Sequence, residues 1–301
     1  MNDIDTFVYD QRLQGLSKTT LAAYRWTLRG YPGSLTPPDL AEAKDYVTGL
    51  QERGLSAATV ICRIRALKRY SAWWAEEADE ADPLTKLRYP RQVEPLPGRI
   101  AEDDLIEQAL STLSRWNEHP SNVRDHALVS LLKYTGCRRS EVARMRVEDL
   151  DFEARTIALP LTKGNRSRVV PLHPSLARSL RRWLAQKATR AHASSPWLWP
   201  GLDGTAMLPD SISGALDALS KRCGLTKPLR AHEFRRRLAS QWIQRGGSDP
   251  ELMLICGWRS PHMAARYRQQ HSAELAIEQY ERLFYEEPRK ITIARPGPRK
   301  A

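Results

Sequence analysis

At 301 residues the chain has room for two domains of ordinary size, each with its own core. No apolar run is long enough to span a bilayer, and the start, MNDIDTFVYD, lacks the pattern of a secretory signal. Cys62, Cys137, Cys223 and Cys256 are scattered without metal-ligand or disulfide spacing, so they read as small core residues in a reducing cytoplasm. The formal net charge of +12 is the electrostatic footprint of a nucleic-acid binder.

Residues from about 4 to 88 read as a helical unit. Ser17 caps a helix over SKTTLAAYRWTL, in which Leu21, Tyr24 and Leu28 recur at helical spacing. After the loop YPGSLTPPDL a second amphipathic helix is predicted over 40–54, and Ser56 caps a third, SAATVICRIRALKRYSAWWAEEA. In this third helix Val60, Ile64 and Leu67 point one way, while Arg63, Arg65, Lys68 and Arg69 supply a basic surface. A charged helix face is ordinarily solvated. Taken with the residues described below, this one reads as turned to DNA, in the major groove or along the phosphates. Trp73 and Trp74 read as core. The segment YPRQVEPLPG, with three prolines and no apolar periodicity, reads as an extended linker.

From about residue 101 the pattern is helical again. A helix over 122–134 buries Ala127, Leu128, Leu131 and Leu132 and breaks at Thr135-Gly136. Cys137-Arg138-Arg139-Ser140-Glu141 opens the next helix, which ends in VARMRVEDL. An arginine at a helix start adds its fork to unpaired backbone N–H groups and favours an anion. Pairing of Arg138 with Glu141 is compatible with this, the carboxylate positioning the guanidinium. The only clear β region follows, with strands over 149–159 and 168–172 and Thr162-Lys163-Gly164-Asn165-Arg166-Ser167 between them. Lys163 is either a solvated hairpin lysine or an ammonium donor that reaches a leaving oxygen. A basic helix over 173–192 carries Arg178, Arg181, Arg182, Lys187 and Arg190 over a buried stripe of Leu176, Leu180 and Leu184. Its arginines either track phosphates or are simply solvated. A loop over 194–209 and a helix over 211–223 come next.

The stretch LRAHEFRRRLASQWIQRGGSDPELMLICGWRSPHMAARY, residues 229–267, is the most informative. His232, Arg235 and Arg236 stand at i, i+3 and i+4 and crowd onto one helical face. Arg235, Arg236 and Arg237 run together with only Glu233 to offset them, an arrangement that is costly unless an anion completes it. Trp258 is followed nine residues later by Tyr267. A phosphodiester fits the missing partner: held by guanidinium forks, exchanging protons with an imidazole, attacked by a phenol. By its own neighbours Tyr267 reads as a core or surface tyrosine; with His232, Arg235, Trp258 and Arg138 it reads as a nucleophile. Since a phenol has a pKa of about 10, nearby cations are expected to help ionise it. A helix over 273–284 then leads to a Pro/Lys/Arg tail that is either disordered or docked on a neighbour.

On these motifs the chain resembles the tyrosine recombinase (phage integrase) family over almost its whole length. TGCRRSEV resembles the family's first arginine box and LTKGNRSRVVPL its β-hairpin lysine segment. HEFRRRLA resembles the His-x-x-Arg box, and CGWRSPHMAARY the Gly-His/Trp segment that ends in the nucleophile. The order and spacing of the four together are highly specific. The resemblance implies a mainly α fold: an N-terminal, SAM-like core-binding domain over 1–88 and a linker over 89–100. An α-rich catalytic domain with a small antiparallel β-sheet is expected over 101–288, and a basic tail over 289–301.

It also implies roles. Tyr267 is the nucleophile, and Arg138 and Arg235 clamp the non-bridging phosphate oxygens. Lys163 is the acid for the departing 5′ oxygen and His232 a general acid/base. Trp258, where the family often has His, donates its indole N–H. Glu141 and Arg236 are supporting residues; Arg236 stands where the family often has His or Lys and cannot act as a base. The implied activity is site-specific recombination of double-stranded DNA through a 3′-phosphotyrosyl intermediate. Two arginines neutralise the equatorial oxygens, so no metal or other cofactor is expected. The implied partners are attachment sites, a second, third and fourth copy of the chain on DNA, and a directionality factor. Before DNA assembles it the protein is expected to be a monomer, in the cytoplasm with the nucleoid. A phage or mobile-element integrase with a short attachment site is the preferred role. A type IB topoisomerase and a catalytically silent DNA-binding scaffold are the alternatives.

Overall fold

Three of the first four helices start where a short polar side chain satisfies an orphan amide. Ser17 accepts from Thr20 N at 3.2 Å, Asp39 from Glu42 N at 2.8 Å and Ser56 from Thr59 N at 3.2 Å. In the computed structural model, which describes residues 3–91, 98–115, 119–159, 168–190 and 192–284, these caps open α2 (Lys18–Arg29), α3 (Leu40–Glu52) and α4 (Ala57–Ala78). A further helix, α1 (Asp3–Leu13), precedes them. Lys163, linker positions 92–97 and the tail over 289–301 lie outside the described residues. The chain divides into two compact units, Met1–Glu94 and Pro95–Ala301.

In the first unit Phe7, Leu28, Val60, Ile64, Leu67 and Tyr70 form the core, with Phe7 edge-on to Tyr70 at 5.3 Å. Trp73 and Trp74 pack against this core, and the Trp73 indole donates to Asp10. The basic surface expected on α4 is more varied than its charge suggests. Lys68 spends all three of its ammonium donors on the carbonyls of Leu84, Thr85 and Leu87. Arg69 is tethered to Gln11 of α1 and to Gln14 just beyond it. Arg63 lies 3.4 Å over the exposed Trp26 ring and donates to Thr27, and Arg65 is exposed.

The second unit is built on α6 (Pro120–Thr135), which is buried over most of its surface: Ala127, Leu128, Val129, Leu131 and Leu132 are joined by buried Asn122, Asp125 and Ser130. Packed on it are α5 (Asp103–Arg115), α8 (Pro174–Lys187), α9 (Pro209–Arg222) and α10 (Ala231–Gln244). The remaining helices are α7 (Arg139–Ala143), α11 (Asp249–Cys256) and α12 (Pro261–Phe284). Among the described residues the sheet has three antiparallel strands, β1 (Leu150–Asp151), β2 (Thr156–Leu159) and β3 (Arg168–Pro171), with Ile157 opposite both Leu150 and Val170. Among the described residues no helix is long and apolar enough to cross a membrane.

Several boundaries differ from the sequence reading, each for a local reason. The strand expected over 149–159 is a hairpin, because the Asp151 carboxylate accepts from Glu153 N and Ala154 N and turns the chain. The helix opened by Arg139 ends at Ala143; beyond it Met145 O accepts from Leu198 N instead of continuing a helical ladder. α8 stops at Lys187, whose buried ammonium donates to Ala193 O and Ser195 O as the chain folds back. α12 begins at Pro261, so Tyr267 lies within a helix that was expected to start only at 273.

The end of α6 sets the course of the chain into the site. Gly136 caps the helix at φ 54°, and a Cβ there would meet Leu238 at 2.9 Å and the Arg235 backbone at 3.2 Å. Gly136→Ala is therefore expected to destabilise the protein by at least about 1–2 kcal/mol, the cost of a left-handed non-glycine residue. Urea denaturation checks it, and a midpoint equal to wild type counts against this account.

Candidate active site

Beyond Gly136 the chain reverses through Cys137, and Arg138 stands at the start of α7. Its backbone N–H donates to Glu141 Oε2 at 2.7 Å and its Nη1 to Glu141 Oε1 at 2.8 Å. Arg138 thus does pair with Glu141, and its side chain stays about one-third exposed. Glu141 has no solvent exposure. Burial pushes its carboxyl up, but the bonds and charges of Arg168 and Arg138 outweigh this and hold it below its ordinary value.

Arg168, the first residue of β3, is the second partner of that carboxylate. Nη1 donates to Oε1 at 2.7 Å and Nη2 to Oε2 at 2.8 Å, a fork-to-fork pair, while Nε donates to Ile255 O at 2.7 Å. The sequence reading missed it. The available signal was strand alternation: Arg168 shares a face with buried Val170, and an arginine on a buried strand face calls for a carboxylate.

Arg235 comes from the first turns of α10 and is 2% exposed. Nη1 donates to Gly136 O at 3.2 Å and Nη2 to Cys256 O. Arg138 Nη2 in turn donates to Gly257 O at 3.2 Å. Three arginines from α7, β3 and α10 therefore hold three successive carbonyls, those of Ile255, Cys256 and Gly257, where α11 ends in a left-handed Gly257. Helix C-termini carry unpaired carbonyls and the negative end of the dipole, so cations are favoured there.

The turn thus fixed projects Trp258. Its ring stacks on Tyr267 at 5.4 Å between centroids and 9° between planes, with the Arg235 guanidinium 5.5 Å from the same indole. Tyr267 is 5% exposed. Burial raises its phenol above the ordinary value against the pull of Arg236, Arg235 and Arg266. The nearby cations do pull this phenol toward ionisation, as expected, but desolvation outweighs them in the free protein.

His232 is exposed on the first turn of α10. Desolvation and the charges of Arg236, Arg235 and Arg138 push its imidazole below the ordinary value, so it is neutral at neutral pH. Arg236 donates to Arg99 O at 3.2 Å. Arg237 has its own carboxylate, Asp103, so it leaves the cationic run that the sequence suggested. Buried Glu233 lies toward Arg99.

The described site thus brings together Arg138, Glu141, Arg235, Trp258 and Tyr267, adds Arg168, and sets His232 and Arg236 within their field. One carboxylate among three guanidiniums leaves an excess of positive charge suited to an anion. The α8 arginines lie outside this cluster: Arg178 donates to Ser175, Arg181 lies over Phe152 and Arg182 is exposed. A cavity of about 830 Å³ lined by Trp183, Lys187, His192 and Met207 contains none of the cluster. Among the described residues no group of three His, Cys, Asp or Glu side chains could hold a metal ion.

The sequence profile described as the Phage integrase family matches residues 100–274. Among curated proteins, the tyrosine recombinase XerC of Xylella fastidiosa is 29% identical over 256 residues, covering 82% of this chain and 84% of its own. The tyrosine recombinase XerD of Listeria innocua is 26% identical over 272 residues, covering 85% and 90%. Among solved structures, the Tn1549 transposon integrase in complex with transposon right end DNA superposes with a TM-score of 0.69 at 20% identity, over 94% of this chain and 99% of that one. A lambda integrase dimer bound to a COC′ core site gives 0.66 at 16% identity, over 97% and 79%. At these identities the solved structures speak to the fold, which they share with this chain.

The charges around His232 predict its titration. By NMR its imidazole should titrate below the usual midpoint of about 6.5, and Arg236→Ala should move the midpoint upward. A wild-type midpoint at or above the usual value would contradict this electrostatic picture.

Proposed function

Because this chain belongs to the phage integrase family and is thereby a tyrosine recombinase, we propose that it integrates a phage or other mobile element by cutting and rejoining DNA at short attachment sites. The observation that carries this reading is the convergence of Arg138 and Arg235 on the end of α11, where the next residue, Trp258, stacks on the Tyr267 ring. In the proposed reaction the Tyr267 Oη attacks a backbone phosphorus in line with the 5′ oxygen, forming a 3′-phosphotyrosyl bond as the P–O5′ bond breaks. Neutral His232 takes the phenol proton, and Lys163 gives one to the departing 5′ oxygen. Arg138 and Arg235 neutralise the non-bridging oxygens, Trp258 donates its indole N–H, and Arg236 supplies positive potential. The new bond is a phosphodiester, so a 5′-hydroxyl of another strand can reverse the step without ATP.

Tyr267 and Arg235 are nearly buried in the free protein. The phosphodiester therefore reaches them only when the connection from Gly257 to Pro261 shifts and carries Tyr267 outward. The far end of α12 offers a reason for assembly: Ile277, Leu283 and Phe284 are 43%, 64% and 67% exposed. We read that apolar face as one that docks on the next protomer of a tetramer on DNA. The similar lambda and Tn1549 integrases are seen with DNA, which supports duplex DNA as the partner. A second reading, resolution of joined replicons, is favoured by the XerC and XerD relatives. Sequencing the junctions made in cells separates them: junctions between an element and a chromosome support integration, and junctions only between two copies of one replicon support resolution.

Two measurements test the chemistry and the binding. On a nicked suicide duplex the wild type should accumulate covalent protein–DNA complex. Tyr267→Phe should accumulate none yet bind the duplex like wild type; absence of any covalent complex with wild type would leave the scaffold reading standing. For binding, log affinity should fall linearly with log salt, and Arg65→Gln or Arg182→Gln should each flatten the slope by about 1. An unchanged slope in either variant removes that arginine from the DNA face.

A further inference from the structure

The arginine that the motifs pass over is the best anchored of the three at the site. Arg168 engages all three of its nitrogens inside the protein, and its side chain is only 12% exposed against 36% for Arg138. It is tied at both ends of the cluster. Toward α7 it takes both oxygens of Glu141; toward α11 it holds Ile255 O, the first of the three carbonyls at that helix end. The approach is close: Gly257 stands at φ 60°, and a Cβ there would come within 3.0 Å of Arg168 Nη1.

We propose that Arg168 is a positioning residue for strand cleavage, acting without touching DNA through Arg138 on one side and the Gly257–Trp258 turn on the other. This rests on the reading of Arg138 and Tyr267 as clamp and nucleophile. Glu141 is fully buried, and an ionised carboxylate there draws in whatever cation is available. With Arg168 forked onto it, Arg138 shares a single oxygen through its side chain and turns its other nitrogen toward Gly257 O. Without Arg168 both carboxylate oxygens fall to Arg138. Its fork then closes inward on Glu141, away from the phosphate, and α11 loses one of the three bonds that aim Trp258 at Tyr267. Arg168 therefore sets what Arg138 presents to the substrate, and its loss appears in the chemical step, not in the hold on DNA.

The test compares Arg168→Lys, Arg168→Gln and the double variant Glu141→Gln/Arg168→Gln in single-turnover cleavage of the suicide duplex at saturating DNA. Affinity is measured separately by fluorescence anisotropy, and folding by thermal melting. Lysine keeps the charge but cannot bridge both carboxylate oxygens and Ile255 O, so Arg168→Lys should fold and bind DNA like wild type yet cleave about 100-fold more slowly, the scale of a misplacement near 1 Å. The double variant should cleave faster than Arg168→Gln, because a neutral amide no longer captures Arg138. If Arg168→Gln does not fold, Arg168→Lys carries the comparison alone. Wild-type cleavage by Arg168→Lys, a loss confined to affinity, or a double variant no faster than a folded Arg168→Gln overturns the proposal. Failure of the wild type itself to form covalent complex overturns instead the reading of the site on which it rests.

Discussion

A single buried carboxylate makes the site possible. At an effective dielectric near 20, like charges 4 Å apart repel by about 4 kcal/mol, so guanidiniums do not gather unaided. Here Glu141 takes two of them and the carbonyls at the end of α11 take all three, which turns a repulsive set into a satisfied network. The network is also a joint between elements far apart in sequence. It links the turn after α6, the first residue of β3, the start of α10 and the end of α11. Breaking a buried pair by removing one partner typically costs about 3–5 kcal/mol. The same groups that create the excess of positive charge therefore also hold the fold in register around it.

Much of this was open to reading in the chain, and what was not has physical reasons. The helix starts at Ser17 and Ser56 and the break at Gly136 follow from side chains acting on their own backbone, which is local chemistry. The four motifs mark Arg138, His232, Arg235 and Tyr267, and the arginine box holds Glu141. What the sequence concealed is where each cation spends its donors. Lys68 and Arg63 are both basic residues of one helix, yet one closes off three carbonyls and the other lies on an exposed indole. Arg237 adjoins Arg236 but is neutralised by Asp103, 134 residues away. Arg168 looked like the first residue of a plain strand because its partners, Glu141 and Ile255, lie 27 and 87 residues off. Ion pairing across such separations leaves no periodic trace.

The strands and the last helix make the same point from the side of boundaries. A run of β-branched residues sets strand propensity, but the Asp151 carboxylate decides where the run folds into a hairpin. Pro261 starts α12 because its fixed φ suits a first turn, and this places Tyr267 two turns into a helix, with its ring packed against Trp258. A tyrosine so held is a core residue by packing. Its burial matches what its own neighbours suggest, while the arginines gathered by distant segments act on its phenol, which is the setting the proposed role as nucleophile draws on.

The electrostatics explain how such a residue stays quiet until needed. Burial lifts the Tyr267 phenol, while desolvation and the surrounding arginines depress His232, so the two pKa values move apart and the proton stays on the phenol. On the proposed function, a phosphodiester bound between Arg138 and Arg235 would reverse part of this. In the proposed reaction its negative charge would offset the guanidiniums that depress the imidazole and make His232 a stronger base. The proposed outward movement of the α11–α12 connection would return the phenol to a more polar setting and lower its pKa. In the proposed reaction the ionisation of Tyr267 is thereby coupled through charge to the arrival of the phosphodiester.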